Sequence, residues 1–157
     1  MPGGSVGVGD EAPDFSVTSS DGEPVRLSAF RGHSAVVLFF FPMANTPACT
    51  AEACAFRDSY ETFVDAGAEV IGVSADAVAT QRQFAGRHRL PFRLISDSAG
   101  ELRTLYGVPK TLGLFPGRVT YVIDPQGIVR YVFSSQLQIA RHVEEAIRVL
   151  KTLPGGE

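Results

Sequence analysis

Two apolar runs constrain most strongly what this chain can become. Residues 34–41 read SAVVLFFF and residues 68–75 read AEVIGVSA. Both are rich in β-branched and aromatic residues, and neither alternates with polar ones. A strand with one wet face alternates, whereas a continuous run marks a strand covered on both faces. The longest uninterrupted stretch, AVVLFFF at 35–41, is far shorter than the roughly 20 residues that cross a bilayer.

The segments between the runs switch to a helical period. From Pro47 to about Ala66, Phe56, Tyr60, Phe63 and Val64 recur at steps of three and four, and Gly67 supplies the stop. Further helices are expected over roughly 77–88, 99–107 and 139–153. Short strands are expected at FRLISD (92–97), RVTYVID (118–124) and IVRYVF (128–133), the last two joined by PQG (125–127) as an antiparallel hairpin. Near the start, FSVT (15–18) and PVRL (24–27) flank an Asp-Gly turn, a second hairpin. Strands alternating with helices, then a hairpin and a last helix, predict an α/β fold with a mixed sheet flanked by helices and an N-terminal β-hairpin. The thioredoxin-like architecture is one candidate with that order. We expect a single domain over 1–157, with flexible ends at about 1–8 and 154–157.

Composition removes several functions. A net charge of −3 and a pI near 5.6 leave no basic stripe to neutralise phosphates, so no nucleic-acid partner is expected. No membrane partner is expected either. The opening MPGGSVGVGDEAPDF lacks a basic stretch followed by an apolar one. The chain therefore reads as soluble and cytoplasmic, with a plastid as the alternative if a targeting segment has been removed. Two cysteines in 157 residues are no secreted disulfide framework.

Those cysteines, Cys49 and Cys54, both lie in FFFPMANTPACTAEACAF, residues 39–56. Cysteine most often packs as a small hydrophobe, but the setting of Cys49 favours chemistry. Thr46 before Pro47 is a helix start, with threonine as N-cap and proline as first helical residue. Cys49 is then third in the first turn, facing unpaired backbone N–H groups and the positive end of the helix dipole. Both favour thiolate over thiol. The Thr46 hydroxyl would lie beside it. On an intact helix, residues five apart place their Cα atoms about 8–9 Å from each other and point to different faces, beyond disulfide reach. Either Cys54 is inert packing or the helix unwinds.

Zinc is disfavoured by the spacing, and no cofactor or metal is expected. There is no CxxC pair, which argues against a disulfide reductase. A Cys–His hydrolase would need His33, His88 or His142, none in a motif and each expected as a surface or cap residue. A binding or chaperone module with idle cysteines is the rival from outside enzymology.

PMANTPACT (42–50) resembles the peroxiredoxin active-site pattern Pro-x-x-x-Thr-x-x-Cys. CTAEACAFRD (49–58) is similar to the peroxiredoxin Q branch, also called bacterioferritin comigratory protein. The likeness runs through VGDEAPDFSV, VIGVSAD, RLISDSAGELRTLYGV and LFPGRVTYVIDPQGIVRYVF. The late SSQLQIARHVEEAIRVL resembles photosynthetic members. The resemblance implies a thioredoxin fold and a monomeric thiol peroxidase, active on hydrogen peroxide and organic hydroperoxides in antioxidant defence. Cys49 would be the peroxidatic cysteine and Cys54 the resolving one. They would form a disulfide after local unfolding, recycled by thioredoxin or a similar dithiol.

Thr46, Pro42 and Arg118 match its other fixed positions: Arg118 to hold the peroxide, Thr46 to hydrogen-bond it, Pro42 to cover the sulfur. Without the resemblance, Pro42 reads as a strand end and Arg118 as a solvated edge charge. Glu52, one turn past Cys49, would oppose a thiolate unless it orients an arginine such as Arg118. Phe40, Met43 and Phe115 are expected to offer apolar surface to an alkyl tail.

Overall fold

The computed structural model describes residues 6–108 and 117–153. A short hairpin comes first: β1 (Ser16–Thr18) pairs antiparallel with β2 (Pro24–Arg26), Val17 opposite Val25, and a 3-10 turn follows over Leu27–Phe30. The two apolar runs become β3 (Ala35–Phe40) and β4 (Ala68–Ser74), parallel neighbours with Val37 beside Val70. β5 (Arg93–Ser96) adds in parallel beyond β4, while β6 (Val119–Ile123) and β7 (Val129–Ser134) add antiparallel beyond β3. The order β5-β4-β3-β6-β7 puts β3 in the centre, which is why its six residues are all buried.

Alternate residues of β3 and the Phe41 that follows it feed two cores. Val37, Phe39 and Phe41 face α1 (Pro47–Asp58), α3 (Val78–His88) and α5 (Ile139–Leu150); Val36, Leu38 and Phe40 face the hairpin and α4 (Glu101–Tyr106). The first core is built on aromatic stacking. Phe39 lies 4.3 Å from Phe56 of α1 at 19°, and Phe56 lies 5.6 Å from Phe63. Rings of this size carry much of a core's energy, about 3–5 kcal/mol each by truncation. This stack holds α1 against the sheet.

The single helix expected from Pro47 to about Ala66 is two: α1 ends at Asp58 and α2 covers Tyr60–Asp65. Ser59 bends the chain at φ −103°, ψ 7°, and its side chain favours such junctions over helix interiors. Gly67, at φ 80°, stops α2 as expected. Phe40 is fully buried between Tyr106 and Tyr121, with ring centroids at 5.7 and 5.8 Å. It faces the opposite core from Cys49 and offers no surface to an alkyl tail, a correction to the expectation. Phe115 lies outside the described residues. No helix among those described is long and apolar enough to cross a membrane.

Gly72 of β4 sits where a Cβ would come within 2.8 Å of Leu94 Cδ2 and 2.9 Å of Phe39 Cζ. Gly72→Ala must therefore displace the Phe39 ring that α1 rests on, and should cost about 1–3 kcal/mol. Urea unfolding measures it; an unchanged midpoint would show that the ring yields freely.

Candidate active site

The loop between β3 and α1 presents the first turn of the helix. Asn45 takes a left-handed φ of 68°, which asparagine tolerates, and Ala44 N–H donates to Asp76 Oδ2 at 2.7 Å. Thr46 is the N-cap: its Oγ1 accepts from the Cys49 N–H at 3.4 Å and donates to the Met43 carbonyl at 3.0 Å. Pro47 is the first helical residue. Pro42 is half-buried between Phe41 and the exposed Met43, which is 56% accessible.

Cys49 is 1% exposed, and Arg118 Nη2 donates to its Sγ at 3.4 Å. Arg118 immediately precedes Val119, which pairs with Phe40, so it enters the site from the start of β6 beside the end of β3. It is 3% exposed and no solvated edge charge. Its Nη1 donates to Glu52 Oε1 at 2.6 Å. Burial works against the charge of Arg118, but Glu52 and Cys49 more than offset it, and its pKa stands above the ordinary value. Glu52 is wholly buried; burial pushes its carboxyl up to about 7 against the pull of Arg118.

Sequence reasoning missed two members. His142 was expected at a surface or cap, yet it is fully buried. Its Nδ1 lies 2.8 Å from Thr120 Oγ1 and 3.6 Å from Glu52 Oε2, and its Nε2 lies 2.7 Å from the Ser135 carbonyl. Burial, against the Ser135 hydrogen bond, takes its pKa down to about 4, so the ring is neutral and its contact with Glu52 is no ion pair. The signal was present: His142, Ala146 and Val149 follow a helical step on the buried face of α5.

Arg103 of α4 is the other. Its Nη2 donates to the Phe41 carbonyl at 2.9 Å and its Nη1 to the Gly117 carbonyl at 3.2 Å, fastening the two strand ends that carry the site. Burial lowers its pKa, with Asp97 and Cys49 acting in the other direction. Nothing in the helical pattern of 99–107 singled it out.

Cys54 is half-buried further along α1, and both cysteines are free thiols. His33 is exposed and His88 packs edge-on to Phe84 at 4.9 Å. Among the described residues, no group of three histidine, cysteine or acidic side chains is placed to hold a metal ion.

Glu52 and His142 titrate in opposite senses. Unfolded, Glu52 loses its proton near 4.5 and His142 gains one near 6.5; folded, these values become about 7 and about 4. From about 4.5 to 6.5 the pair therefore carries one proton in either state and adds little pH dependence to stability. Glu52→Gln leaves His142 alone, whose contribution is lost as pH falls from about 6.5 towards 4. His142→Gln leaves Glu52 alone, whose contribution is present below about 4.5 and lost as pH rises towards 7. Urea unfolding across this range should give slopes of opposite sign for the two variants; parallel slopes would refute the assignment.

Comparison with known proteins gives the family of the chain. The AhpC/TSA family model matches residues 8–132. The chain is 46% identical over 151 residues to chloroplastic peroxiredoxin Q of Oryza sativa subsp. japonica, covering 96% of this chain and 69% of that protein. It is 46% identical over 147 residues to chloroplastic peroxiredoxin Q of Arabidopsis thaliana, covering 93% and 68%. Peroxidoxin BcpB from Mycobacterium tuberculosis superimposes with a TM-score of 0.87 at 37% identity, covering 96% of this chain and 99% of that one. Xanthomonas campestris peroxiredoxin Q gives a TM-score of 0.82 at 26% identity, covering 91% and 92%. The fold is therefore the thioredoxin-like fold of these neighbours, and the chain belongs to the AhpC/TSA family, in its peroxiredoxin Q branch.

Proposed function

We propose that the protein is a thiol peroxidase that works through Cys49, with Cys54 as resolving cysteine and a dithiol protein such as thioredoxin as reductant. The observation that carries this reading is the buried Cys49 sulfur on the first turn of α1, 3.4 Å from a guanidinium nitrogen. The polar side chain at the sulfur is an arginine, which favours a nucleophile kept anionic over a cysteine activated by histidine.

In the reaction the Cys49 thiolate attacks one peroxide oxygen. An S–O bond forms, the O–O bond breaks, and the departing oxygen takes a proton to leave as water or an alcohol. Sulfur is oxidised to a sulfenic acid and the peroxide is reduced by two electrons. Arg118 supplies fixed donors for the charge that develops on the departing oxygen, and the Thr46 hydroxyl can donate and accept at once. Pro42 has no N–H and limits water at the sulfur. Met43 gives apolar contact to an organic hydroperoxide.

The Cys54 thiol then attacks the sulfenic sulfur, the S–O bond breaks, water leaves, and an S–S bond joins Cys49 to Cys54. An external dithiol returns both electrons. Since ideal helix geometry holds the two Cα atoms about 8–9 Å apart, the first turns of α1 unwind for this step. Arg57 Nη1 donates to the His88 carbonyl at 2.8 Å and Phe56 stacks on Phe39, so the far end of α1 stays anchored. The plant relatives bear chloroplastic names, which supports a plastid over the cytoplasm as the setting.

Peroxide consumption with a thioredoxin system is expected for the wild type. Cys54→Ser should consume one equivalent and stall, and Cys49→Ser should consume none; steady turnover by Cys49→Ser would overturn the assignment. Amide exchange over 47–56 should accelerate on oxidation while β3 and β4 stay protected. Unaltered exchange there would exclude unwinding.

A further inference from the structure

One guanidinium stands between two acids. Arg118 reaches Glu52 Oε1 at 2.6 Å and Cys49 Sγ at 3.4 Å, and all three side chains are buried. With Cys49 and Glu52 both ionised, one positive charge would balance two negative ones away from water. Arg103 also acts on Cys49 but does not make up the difference: its Nη atoms are spent on backbone carbonyls, and its larger charge partner is the buried Asp97, a further acid to be met. Tyr121, at the same end, stays neutral, its phenol pushed up to about 12 by burial. An imbalance of this kind is relieved by a retained proton.

The neighbours of Glu52 decide where that proton sits. Its Oε2 is buried with no hydrogen-bond partner, and the polar atom facing it is His142 Nδ1 at 3.6 Å. The remaining contacts of the ring fix what Nδ1 can do. Nε2 lies 2.7 Å from the Ser135 carbonyl, which only accepts, so Nε2 carries the ring proton. In the neutral ring that burial favours, Nδ1 is then bare and its one lone pair accepts from the Thr120 hydroxyl at 2.8 Å. The Phe133 ring meets His142 edge-on at 4.7 Å, with Arg141 5.4 Å from the Phe133 ring; neither supplies a donor to Nδ1. That lone pair is taken by Thr120, so the ring offers Oε2 no N–H, and a buried carboxylate oxygen without a donor costs more than a neutral carboxyl.

We propose that His142 is a positioning residue for the thiol chemistry: its ring turns no N–H towards the buried Glu52 Oε2, so that Glu52 stays neutral and Cys49 becomes the anion that Arg118 serves. The thiol with a carboxylate and the thiolate with a carboxylic acid contain the same number of protons. Passing from the first to the second breaks the S–H bond and forms an O–H bond at Oε2, and no electrons change hands. His142 weights the second arrangement. Burial acts in the same direction on Glu52. The inference rests on Cys49 being the nucleophile, and it explains how a carboxylate that should oppose the thiolate is kept from doing so.

Two substitutions separate the nitrogens of His142. Asn places an amide oxygen near the position of Nδ1 and gives up the Ser135 bond; Gln keeps a donor near Nε2 and gives up the acceptor that holds the Thr120 hydroxyl. The readout is the pH profile of Cys49 alkylation in the Cys54→Ser background, which involves no peroxide. Its outcome is therefore separate from whether the protein reduces peroxides. His142→Gln should move the profile to higher pH by about one unit, while His142→Asn stays close to wild type. In a Glu52→Gln background, where position 52 is always neutral, His142→Gln should have no further effect. Equal profiles for wild type and His142→Gln, or a shift that persists with Glu52→Gln, would overturn the proposal. Should His142→Gln fail to fold, infrared spectroscopy of the intact protein at mildly acidic pH decides it. A protonated carboxyl band absent from Glu52→Gln is expected, and its absence from wild type would refute the shared proton.

Discussion

The hydrogen bonds of Arg118 to Cys49 and Glu52 are the interaction on which the site depends. A buried guanidinium is tolerated only where its charge is met, and here the two groups that meet it come from one helix. Cys49 and Glu52 are three residues apart, so they share a face of α1, and one planar fork reaches both. This makes the orientation of α1 an electrostatic matter as well as a packing one. Turning the helix away from β6 would strand Arg118 among apolar groups, which costs several kcal/mol for a buried charge.

The sheet delivers the arginine. β3 and β6 are antiparallel, with Phe40 opposite Val119, so the end of β3 and the start of β6 share one edge of the sheet. The chain leaves β3 into the Pro42–Thr46 loop and enters β6 through Gly117 and Arg118. Arg103 donates to the carbonyls of Phe41 and Gly117, which fixes the gap between exit and entry. On the other side of α1, Phe56 rests on Phe39. Helix α1 is held between an aromatic stack on one side and Arg118 on the other.

Much of this was legible before any coordinates. Continuous apolar runs declared β3 and β4, and Thr-Pro before Cys49 declared the N-cap, because both signals are local: burial on two faces and the first turn of a helix leave marks within a few residues. The break at Ser59 was hidden by a helical period that runs through it, since Phe56 and Phe63 face the same core on either side. Phe40 was expected to offer apolar surface beside Met43, but strand alternation sends it to the other core. His142 and Arg103 escaped for a different reason. Each acts on Cys49 or its arginine from an element distant in the chain, and only the fold brings α4 and α5 to that edge of the sheet. The burial of His142 could have been read from its place on the apolar face of α5; its contact with Glu52 could not.

The proposed cycle asks α1 to be firm in one state and to open in the next, and the charge on sulfur accounts for the difference. A thiolate on the first turn of a helix is attracted by the dipole and by Arg118, and these forces hold residues 47–52 in helical form. A sulfenic acid is neutral. Once it forms, the dipole has no anion to bind and the contact with Arg118 weakens, while the Phe56 stack and the Arg57 bond to His88 are unaffected. The first turns therefore lose their electrostatic restraint at the moment when Cys54 must approach, and the second half of the helix does not. Glu52 belongs to the same account. Kept neutral beside His142, it leaves the attraction of Arg118 to the sulfur while the sulfur is charged, and it remains available to take up the guanidinium when that charge is gone.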